Sequence, residues 1–405
     1  MPTILDAELP GAEHVDIPHA IPGMKPATIV SMEAVLVDLP TIRAHQLAMT
    51  TMHRQTLVIV KLRCSDGITG IGEATSIGGL AYGDQSPEST KLAIDAYLAP
   101  LLIGQDAGNV NAAMALAGKQ VQGQSYAKSA IETALFDALG QRLDQPVHAL
   151  LGGAVRTSLP VLWTLASGDS GRDIEEALSL IEQRRHRVFK LKIGRGDPDA
   201  NVAHVARIKQ ALGADVLITV DVNQAWDEAT ATRAIAALED AGVGLVEQPV
   251  PRRHRQALRR LAQRFDVPIM ADESLNGPED ALELAAEGAA DVFALKISKA
   301  GGLLATLRTA AVGEAAGVGL YGGTMLEGSV GSIAAAHAFA ACPQLRWGTE
   351  LFGPLLLKDD VVLQRPVYRD FELQVPQGPG LGLRLDEDKL AHYRRDRERV
   401  QVAVA

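Results

Sequence analysis

Short apolar runs alternate with amphipathic stretches through the second half of the chain, from residue 158 to about residue 350. The amphipathic stretches repeat apolar residues every three to four positions and several end at a glycine, which is typical of surface helices. They include residues 172–185, 200–212 and 229–241. The apolar runs predicted as strands are 159–165, 188–193, 216–222, 245–247, 268–271, 292–297 and 317–321, with a weaker one near 345–349.

Eight such units predict an α/β fold closed into a parallel barrel, because right-handed crossovers with short links leave few other arrangements. An open, doubly wound sheet is the structural alternative. That fold normally has a GxGxxG turn after its first strand, and this sequence has none there.

The first half of the chain has a different order. Strand-like runs at 34–39 and 56–64 precede helical patterns at 91–102 and 125–143, which indicates an α+β unit. A later strand-like segment, 361–385, is predicted to return to this unit. The predicted domains are a flexible extension at 1–30, the α+β unit at 31–155 with its return at 360–395, and the barrel at 156–359.

Composition narrows the functional classes. Of the 405 residues 47% are hydrophobic and 22% charged, and charges or glycines interrupt every long apolar stretch, so no membrane span is predicted. The net charge of −10 disfavours nucleic acid or an anionic membrane as a partner. With only Cys64 and Cys342 and no secretory signal at the N-terminus, a reducing cytoplasm is expected.

Charged residues stand where the predicted barrel strands end. They are Lys190 and Lys192 in FKLKIG, Asp221 in VDVNQ, Glu247 in VEQP, Asp272 in ADES and Lys296 in LKISK. The spacings from Lys192 onward are 29, 26, 25 and 24 residues. Each spacing is one strand-and-helix unit, so the charges recur at the C-terminal face of the barrel, where such folds have their active sites.

Asp221, Glu247 and Asp272 are carboxylates on adjacent predicted strands. Hard cations such as Mg2+ and Mn2+ prefer oxygen ligands and keep positions open for substrate and water. A single acid here could equally cap a helix or pair with a surface lysine. Three acids in phase favour a site for Mn2+ or Mg2+.

The lysines add acid–base chemistry to this prediction. Lys190 and Lys192 share one face of their strand and point into the barrel mouth, while Lys296 approaches from the opposite side. A lysine in a partly desolvated, cationic site can have a lowered pKa suited to proton transfer. Lysines on both sides of a metal-bound carboxylate could move a proton on and off its α-carbon and stabilise the enolate charge.

Three other functions fit less well. A zinc hydrolase needs histidine ligands at strand ends, whereas the histidines near the barrel fall in predicted helices or loops. A Schiff-base enzyme needs one isolated lysine in an apolar pocket. A catalytically silent barrel that serves as a scaffold is disfavoured by the presence of all six charges.

Several stretches are typical of one protein family. They are VDLPTIRAHQLAM, CSDGITGIGEATSIGGLAYG, LLGGAVR, WTLASGD, RRHRVFKLKIG, DVNQ, IMADES, LYGGTMLEGSVG and WGTELFGPLLL. Over about residues 31–390 the chain resembles the enolase superfamily, in its muconate-lactonizing subgroup with KxK on the second strand. The resemblance implies a (β/α)7-8 TIM-like barrel with an N-terminal α+β capping domain, bound Mn2+ or Mg2+, and usually a homo-octamer.

The resemblance also implies a substrate and residue roles. The substrate would be the dicarboxylate cis,cis-muconate, which closes to muconolactone in catechol degradation. Asp221, Glu247 and Asp272 would ligate the metal. Lys192 would protonate the α-carbon in syn geometry, Lys190 would stabilise the bound carboxylate, and Lys296 would act electrostatically from the opposite face. The implied substrate-binding residues are Asn223, Ile77, Tyr82, Glu350 and Phe352.

The resemblance leaves the choice of acid open. Cyclisation of chloromuconate, epimerisation of dipeptides, racemisation of amino acids and synthesis of o-succinylbenzoate use the same carboxylates and KxK pair. Only the loop of the capping domain, which includes Ile77 and Tyr82, distinguishes these activities at the level of sequence.

Overall fold

The computed structural model describes residues 26–395. Residues 1–25 of the predicted flexible extension, 1–30, lie outside the described residues. In the described part of the chain, the first strand already begins at Ile29. The described chain forms an N-terminal α+β unit, called the cap below, and a parallel barrel.

The cap consists of an antiparallel sheet followed by helices. Its strands, in sheet order, are β1 (Ile29–Gln46), β2 (Thr51–Cys64) and β3 (Thr69–Thr75). Its helices are α1 (Pro87–Ala93), α2 (Ala99–Leu102), α3 (Val110–Gln120), α4 (Ser125–Leu143) and α5 (Val147–Leu150), with a π-helical turn, Ile94–Leu98, between α1 and α2. Helix α4 lies directly on β3 because Gly70 and Gly72 have no side chain. A Cβ at either position would lie 1.9 Å from a carbonyl oxygen of α4.

Strands and helices alternate through the rest of the chain. The strands are β4 (Ser158–Pro160), β5 (Trp163–Leu165), β6 (Val188–Lys192), β7 (Leu217–Asp221), β8 (Leu245–Glu247), β9 (Ile269–Ala271), β10 (Val292–Leu295), β11 (Gly319–Gly322), β12 (Tyr368–Arg369) and β13 (Glu372–Gln374). The helices are α6 (Ser170–Glu182), α7 (Pro198–Leu212), α8 (Glu228–Asp240), α9 (Arg255–Arg264), α10 (Pro278–Glu287), α11 (Ile297–Ala300), α12 (Leu303–Ala316), α13 (Ser329–Ala341), α14 (Gly353–Leu356) and α15 (Glu387–Tyr393).

Seven of these strands, β5 to β11, form a parallel sheet in chain order. The predicted eighth strand near 345–349 is reduced to Thr349, which forms parallel bridges with Gly322 on one side and Val161 on the other. Thr349 therefore joins the last strand to the chain beside the first, and the predicted barrel is confirmed.

Two predicted elements differ from the observed ones. The predicted first barrel strand, 159–165, is divided, because β4 pairs with β13 outside the barrel and only β5 joins it. Pro160 stands at the end of β4, and a proline has no N–H to continue a ladder. The predicted helix 91–102 begins earlier, at Pro87, because Ser86 caps it in a reciprocal pair of hydrogen bonds with Ser89.

The C-terminal segment contacts both units. Its short strands β12 and β13 pair with each other, and β13 also pairs with β4. Val361, before these strands, and Leu390, after them, are buried in one hydrophobic cluster with Val35 and Ile59 of the cap sheet. Cys64 and Cys342 are buried and form no disulfide. No helix between residues 26 and 395 is long and apolar enough to cross a membrane.

Candidate active site

Six charged side chains lie together where the barrel strands end, and we call them the rim. They are Lys190, Lys192, Asp221, Glu247, Asp272 and Lys296. The strand register brings neighbours together, because Lys192 pairs with Asp221 across β6 and β7, and Asp221 pairs with Glu247 across β7 and β8. The Lys192 side chain is 9% exposed and the other five are buried more deeply, so water screens these charges weakly.

Each lysine of the rim is paired with a carboxylate. Lys190 Nζ donates hydrogen bonds to Glu247 and Glu350, and Lys192 Nζ donates to Asp221. Lys296 Nζ lies 2.8 Å from Asp272 Oδ2. The structure therefore brings Glu350, from the segment after β11, into contact with the lysine of the second barrel strand.

These ion pairs reverse one expectation from the sequence. Burial alone lowers the pKa of Lys192, but the negative charges of Asp221, Glu350 and Glu247 together outweigh it and raise the pKa. The same balance raises the pKa of Lys190, through Glu247 and Glu350, and that of Lys296, through Asp272. The expectation of a lowered lysine pKa is therefore wrong for all three side chains. It took account of the neighbouring cations but not of the neighbouring carboxylates.

The carboxylates also repel one another. Burial raises the pKa of Glu247 well above its usual value, and the charge of Asp221 raises it further against the opposing effect of Lys190. Asp272 behaves in the opposite way: burial raises its pKa, but Lys296 and Lys299 outweigh burial and lower it. Burial and the nearby Asp221 thus disfavour the ionised form of Glu247 although Lys190 is paired with it.

This set of donors fits a divalent cation. Between residues 26 and 395 no three His, Cys, Asp or Glu side chains already surround one point as ligands, and each rim carboxylate is engaged by an ammonium group instead. The crowded carboxylates supply the hard oxygen atoms that such an ion prefers. Beside them Asn223 Oδ1 is a buried oxygen with no hydrogen-bond partner among the described residues.

Asn223 connects the first carboxylate to an acid that the sequence analysis did not single out. Its amide Nδ2 donates to Asp221 Oδ2 at 3.1 Å and to Glu273 Oε1 at 3.2 Å. Burial and the charges of Asp272 and Asp221 raise the pKa of Glu273 to about 8. Glu273 directly follows Asp272 in ADES, and this adjacency was the only available sequence signal.

The cap reaches the rim through Tyr82. The Tyr82 hydroxyl lies 2.8 Å from Asp272 Oδ2 and 2.9 Å from Oδ1, and it accepts a hydrogen bond from Lys296 Nζ at 3.0 Å. The cap loop therefore contacts the charged end of the barrel, as expected for a residue of the pocket. Ile77, from the same loop, is buried in the hydrophobic core, and its place in the substrate pocket stays a prediction.

Two further side chains lie near the sheet closure, Tyr321 on β11 and Phe352 directly before α14. The Tyr321 hydroxyl donates to Glu350 Oε2 at 2.6 Å. Phe352 is buried against Trp163 of β5, with ring centroids 5.2 Å apart. Phe352 thus packs where the first and last strands of the sheet meet, and its place in the substrate pocket stays a prediction.

A fourth lysine, Lys299, also pairs with Asp272. It lies in α11, and its Nζ is 3.2 Å from Asp272 Oδ1 and also donates to the Asp272 carbonyl oxygen. Burial lowers its pKa and outweighs the charge of Asp272. Lys299 supports the position of Asp272 from outside the six rim residues.

Cavities accompany both ends of the barrel. One of about 230 Å³ borders Lys192, with Arg195 and His204 in its wall. A larger one of about 530 Å³ lies at the opposite end, near the starts of β6 and β7. We assign the chemistry to the end that borders Lys192, because of the two ends only this one contains the cluster of buried charges.

Two family models match the chain. The N-terminal domain of the mandelate racemase / muconate lactonizing enzyme family matches residues 31–152, and the enolase C-terminal domain-like family matches residues 172–389.

Named relatives match nearly the full length. Muconate cycloisomerase 1 of Pseudomonas putida is 58% identical over 374 residues, which cover 92% of this chain and 100% of that protein. A chloromuconate cycloisomerase of Pseudomonas sp. (strain P51) is 48% identical over 367 residues, or 91% of this chain and 99% of that protein.

A solved structure agrees with the fold as well. Muconate lactonizing enzyme from Pseudomonas fluorescens, complexed with muconolactone, has 59% sequence identity and a TM-score of 0.91, and the match covers 92% of this chain and 100% of that one. Together with the capped barrel and its charged rim, these matches show that the chain belongs to the mandelate racemase / muconate lactonizing enzyme family of the enolase superfamily.

Proposed function

We propose that the protein is a muconate cycloisomerase, an isomerase that interconverts cis,cis-muconate and muconolactone. The observation that carries this proposal is the pairing of buried lysines with carboxylates on both sides of the barrel mouth, Lys190 and Lys192 on β6 and Lys296 after β10. Relatives that are 52% to 58% identical have the name muconate cycloisomerase, which supports the choice of substrate.

Membership of the family implies a divalent metal. Asp221, Glu247 and Asp272 would hold this ion, which we propose to be Mn2+ or Mg2+, and Asn223 would orient Asp221. The bound ion supplies fixed positive charge next to a substrate carboxylate. Burial, and after it the charge of Asp221, raises the pKa of Glu247, and a bound cation would stabilise its ionised form against both.

The reaction forms one C–O bond and one C–H bond. An oxygen of the first carboxylate adds to the γ-carbon of its own chain, and the electron pair of the broken double bond moves to the α-carbon of the second carboxylate. Lys192 then donates its ammonium proton to that carbon. The raised pKa keeps Lys192 protonated at neutral pH, so it is ready to act as the acid.

The other two rim lysines would act by charge. Lys190 would stabilise the bound carboxylate, held in place by Glu350, and Lys296 would stabilise the developing negative charge from the opposite face. Tyr82 would fix the position of Lys296 through their 3.0 Å hydrogen bond. Ile77 and Phe352 would provide apolar walls for the carbon chain.

Ultraviolet absorbance tests this proposal directly. The conjugated diene of cis,cis-muconate absorbs, and closure of the lactone removes the conjugation. We expect the absorbance to fall when the protein is incubated with Mn2+ and cis,cis-muconate. No decrease at high protein concentration would contradict the proposed function.

Chloromuconate cycloisomerase is the second candidate, because relatives with that name are 48% identical over nearly the whole chain. A pocket difference of about one methyl group changes selectivity by roughly 1–3 kcal/mol, so few substitutions separate the two activities. The ratio of kcat/KM for plain and chlorinated muconate distinguishes them. Exchange of α-protons of dipeptides or amino acids in deuterated water would reveal the more distant alternatives.

We also propose that the protein works in the cytoplasm as a homo-oligomer, an octamer by resemblance. Two buried, unpaired cysteines are compatible with a reducing compartment. Sedimentation equilibrium measures the number of copies, and a monomer would contradict this part of the proposal.

A further inference from the structure

His45 is a buried histidine that neither the sequence analysis nor the proposed chemistry uses. It lies near the end of β1, opposite Met52 of β2, where the cap hairpin ends. Its exposed fraction is 0%, and neither ring nitrogen has a hydrogen-bond partner among the described residues. A buried polar atom without a partner destabilises a fold. The fold therefore tolerates a cost at His45 that packing does not explain.

The surroundings of His45 belong to the barrel mouth. Its ring lies 6.4 Å from the ring of Phe352, and the positive charges of Arg43 and Lys192 act on it. Arg43 Nη2 donates to the Thr164 carbonyl oxygen at 2.9 Å and lies 3.3 Å from Glu176, so that guanidinium nitrogen is engaged. His45 thus has unpaired ring nitrogens beside Phe352, a residue proposed to line the pocket, and the charge of Lys192 acts on it.

Other buried histidines differ in this respect: two have a backbone partner, whereas His148 in α5 also has two unpaired ring nitrogens, so the case for His45 depends on its place beside Phe352. His186 Nδ1 contacts the Val161 carbonyl oxygen at 2.9 Å, and His337 Nε2 contacts the Leu381 carbonyl oxygen at 3.3 Å. Both rings lie away from the rim and find a partner in the backbone.

We propose that His45 is a substrate-binding residue, whose neutral imidazole donates a hydrogen bond to the substrate carboxylate that forms the new C–O bond. This assignment rests on the proposed function. It follows from position, because syn addition requires the attacking oxygen and the Lys192 proton to reach the same face of the double bond. A donor near Lys192 is on that side.

The protonation state of His45 suits this role. Burial, with Arg43 and Lys192, lowers the pKa of His45 to about 3, so the ring is neutral at physiological pH. A neutral N–H can orient one oxygen of the carboxylate. A cation at this point would hold the negative charge that the attacking oxygen needs as a nucleophile.

The test uses the Mn2+-loaded protein and two unreactive probes, adipate and hexanoate. Both have six carbons, and adipate has the second carboxylate that hexanoate lacks. His45→Phe removes the ring nitrogens and keeps an aromatic side chain. We expect it to weaken adipate binding about 10- to 100-fold, the effect of one hydrogen bond to a charged group, and to change hexanoate binding less than about twofold.

Matched variants separate binding from folding. His186→Phe replaces another buried histidine, which packs on Trp163, and should leave the ratio of the two dissociation constants unchanged. His45→Asn and His45→Gln offer an amide N–H in place of a ring N–H, and at least one should recover part of the adipate affinity. His45→Phe should also melt no lower than the unsubstituted protein, because it removes two unpaired buried atoms.

Equal effects of His45→Phe on adipate and hexanoate, or no effect on either, would overturn the assignment. Turnover of cis,cis-muconate by the unsubstituted protein is measured separately and reports on the proposed function. With turnover present, an unchanged binding ratio overturns the role of His45 alone. With turnover absent the proposed function fails, and the binding ratio still decides whether His45 recognises a second carboxylate.

Discussion

The rim and the contact between the cap and α13 both bury several carboxylates, but the groups that donate hydrogen bonds to these carboxylates differ. At the cap contact, which we call the joint, Glu73 of β3 accepts hydrogen bonds from the backbone N–H groups of Gly328 at 2.6 Å and Gly331 at 2.8 Å. Asp360 accepts from Ser329 N at 2.9 Å, and Glu327 accepts from Met325 N at 2.8 Å. Side-chain ammonium groups fill this role at the rim.

This difference separates a structural cluster from a chemical one. Backbone donors at a helix start are fixed in place and cannot give up their protons, so the joint can only hold the cap on α13. Lysine ammonium groups can move, exchange partners and donate protons. Unpaired atoms also differ: Asn223 Oδ1 and Glu273 Oε2 beside the rim have no partner, whereas no oxygen of Glu73, Glu327 or Asp360 is a buried atom without one among the described residues.

The largest expected effect is loss of chemistry from the rim. Lys192→Ala should lower kcat for cis,cis-muconate by about 10²- to 10⁴-fold, the usual contribution of a general acid, while the Mn2+-loaded protein stays folded. The decrease in ultraviolet absorbance with time measures kcat, and circular dichroism measures whether the protein stays folded. Lys209→Ala, which removes a lysine bonded to backbone carbonyl oxygens after α7, is the control. Retained turnover in Lys192→Ala would remove this residue from its role.

The second largest expected effect is weaker metal binding after removal of a proposed ligand. Asp221→Ala should raise the dissociation constant of Mn2+ by at least the roughly 10- to 100-fold that follows loss of an outer-sphere partner. Electron paramagnetic resonance titration measures free Mn2+. Asp227→Ala is the matched control, because Asp227 caps α8 away from the rim. Unchanged Mn2+ affinity in Asp221→Ala would contradict the assigned ligand set.

The joint should affect stability instead of rate. Glu73→Ala leaves two helix N–H groups without an acceptor and opens a cavity, so we expect the free energy of unfolding to fall by about 2–4 kcal/mol. Urea denaturation measures it, with the exposed Glu175→Ala as the control. If Glu73→Ala instead lowers kcat at full stability, the joint is part of the active site and the comparison fails.

The smallest expected effect is a change in how the free energy of unfolding depends on pH. Burial and the charges of Asp360 and Glu327 raise the pKa of Glu73 well above its usual value of 4.5, although the N–H groups of Gly331 and Gly328 lower it. The folded state then binds more protons than the unfolded state above pH 4.5, so stability falls as pH rises, by at most about 1.4 kcal/mol per pH unit. Glu73→Gln should flatten this slope in urea denaturation. An identical slope in the variant would show that Glu73 does not titrate there.

Local patterns in the sequence sufficed for much of this architecture. Spacings of 24 to 29 residues place Lys192, Asp221, Glu247, Asp272 and Lys296 in the same phase of consecutive units. Parallel strands then carry that phase to one end of the barrel, as the register of Lys192 with Asp221 shows. Such predictions succeed because adjacent residues encode both a strand end and the length of the following helix.

Other features depended on contacts between residues far apart in the chain. The direction of the lysine pKa shifts followed from partners such as Glu350, 160 residues from Lys190. The division of the first predicted barrel strand followed from pairing with β13. No local pattern contains these partners, so the sequence analysis could not weigh them.

The chain by itself determined the repeating units, their charged ends and the family. Only the tertiary structure decided which charges pair, that the rim lysines stay protonated, and that His45 of the cap faces Phe352. The physical reason is distance. Periodicity acts between neighbours along the chain, whereas charge, burial and hydrogen bonding act between whatever groups the docking of cap and barrel brings within a few ångströms.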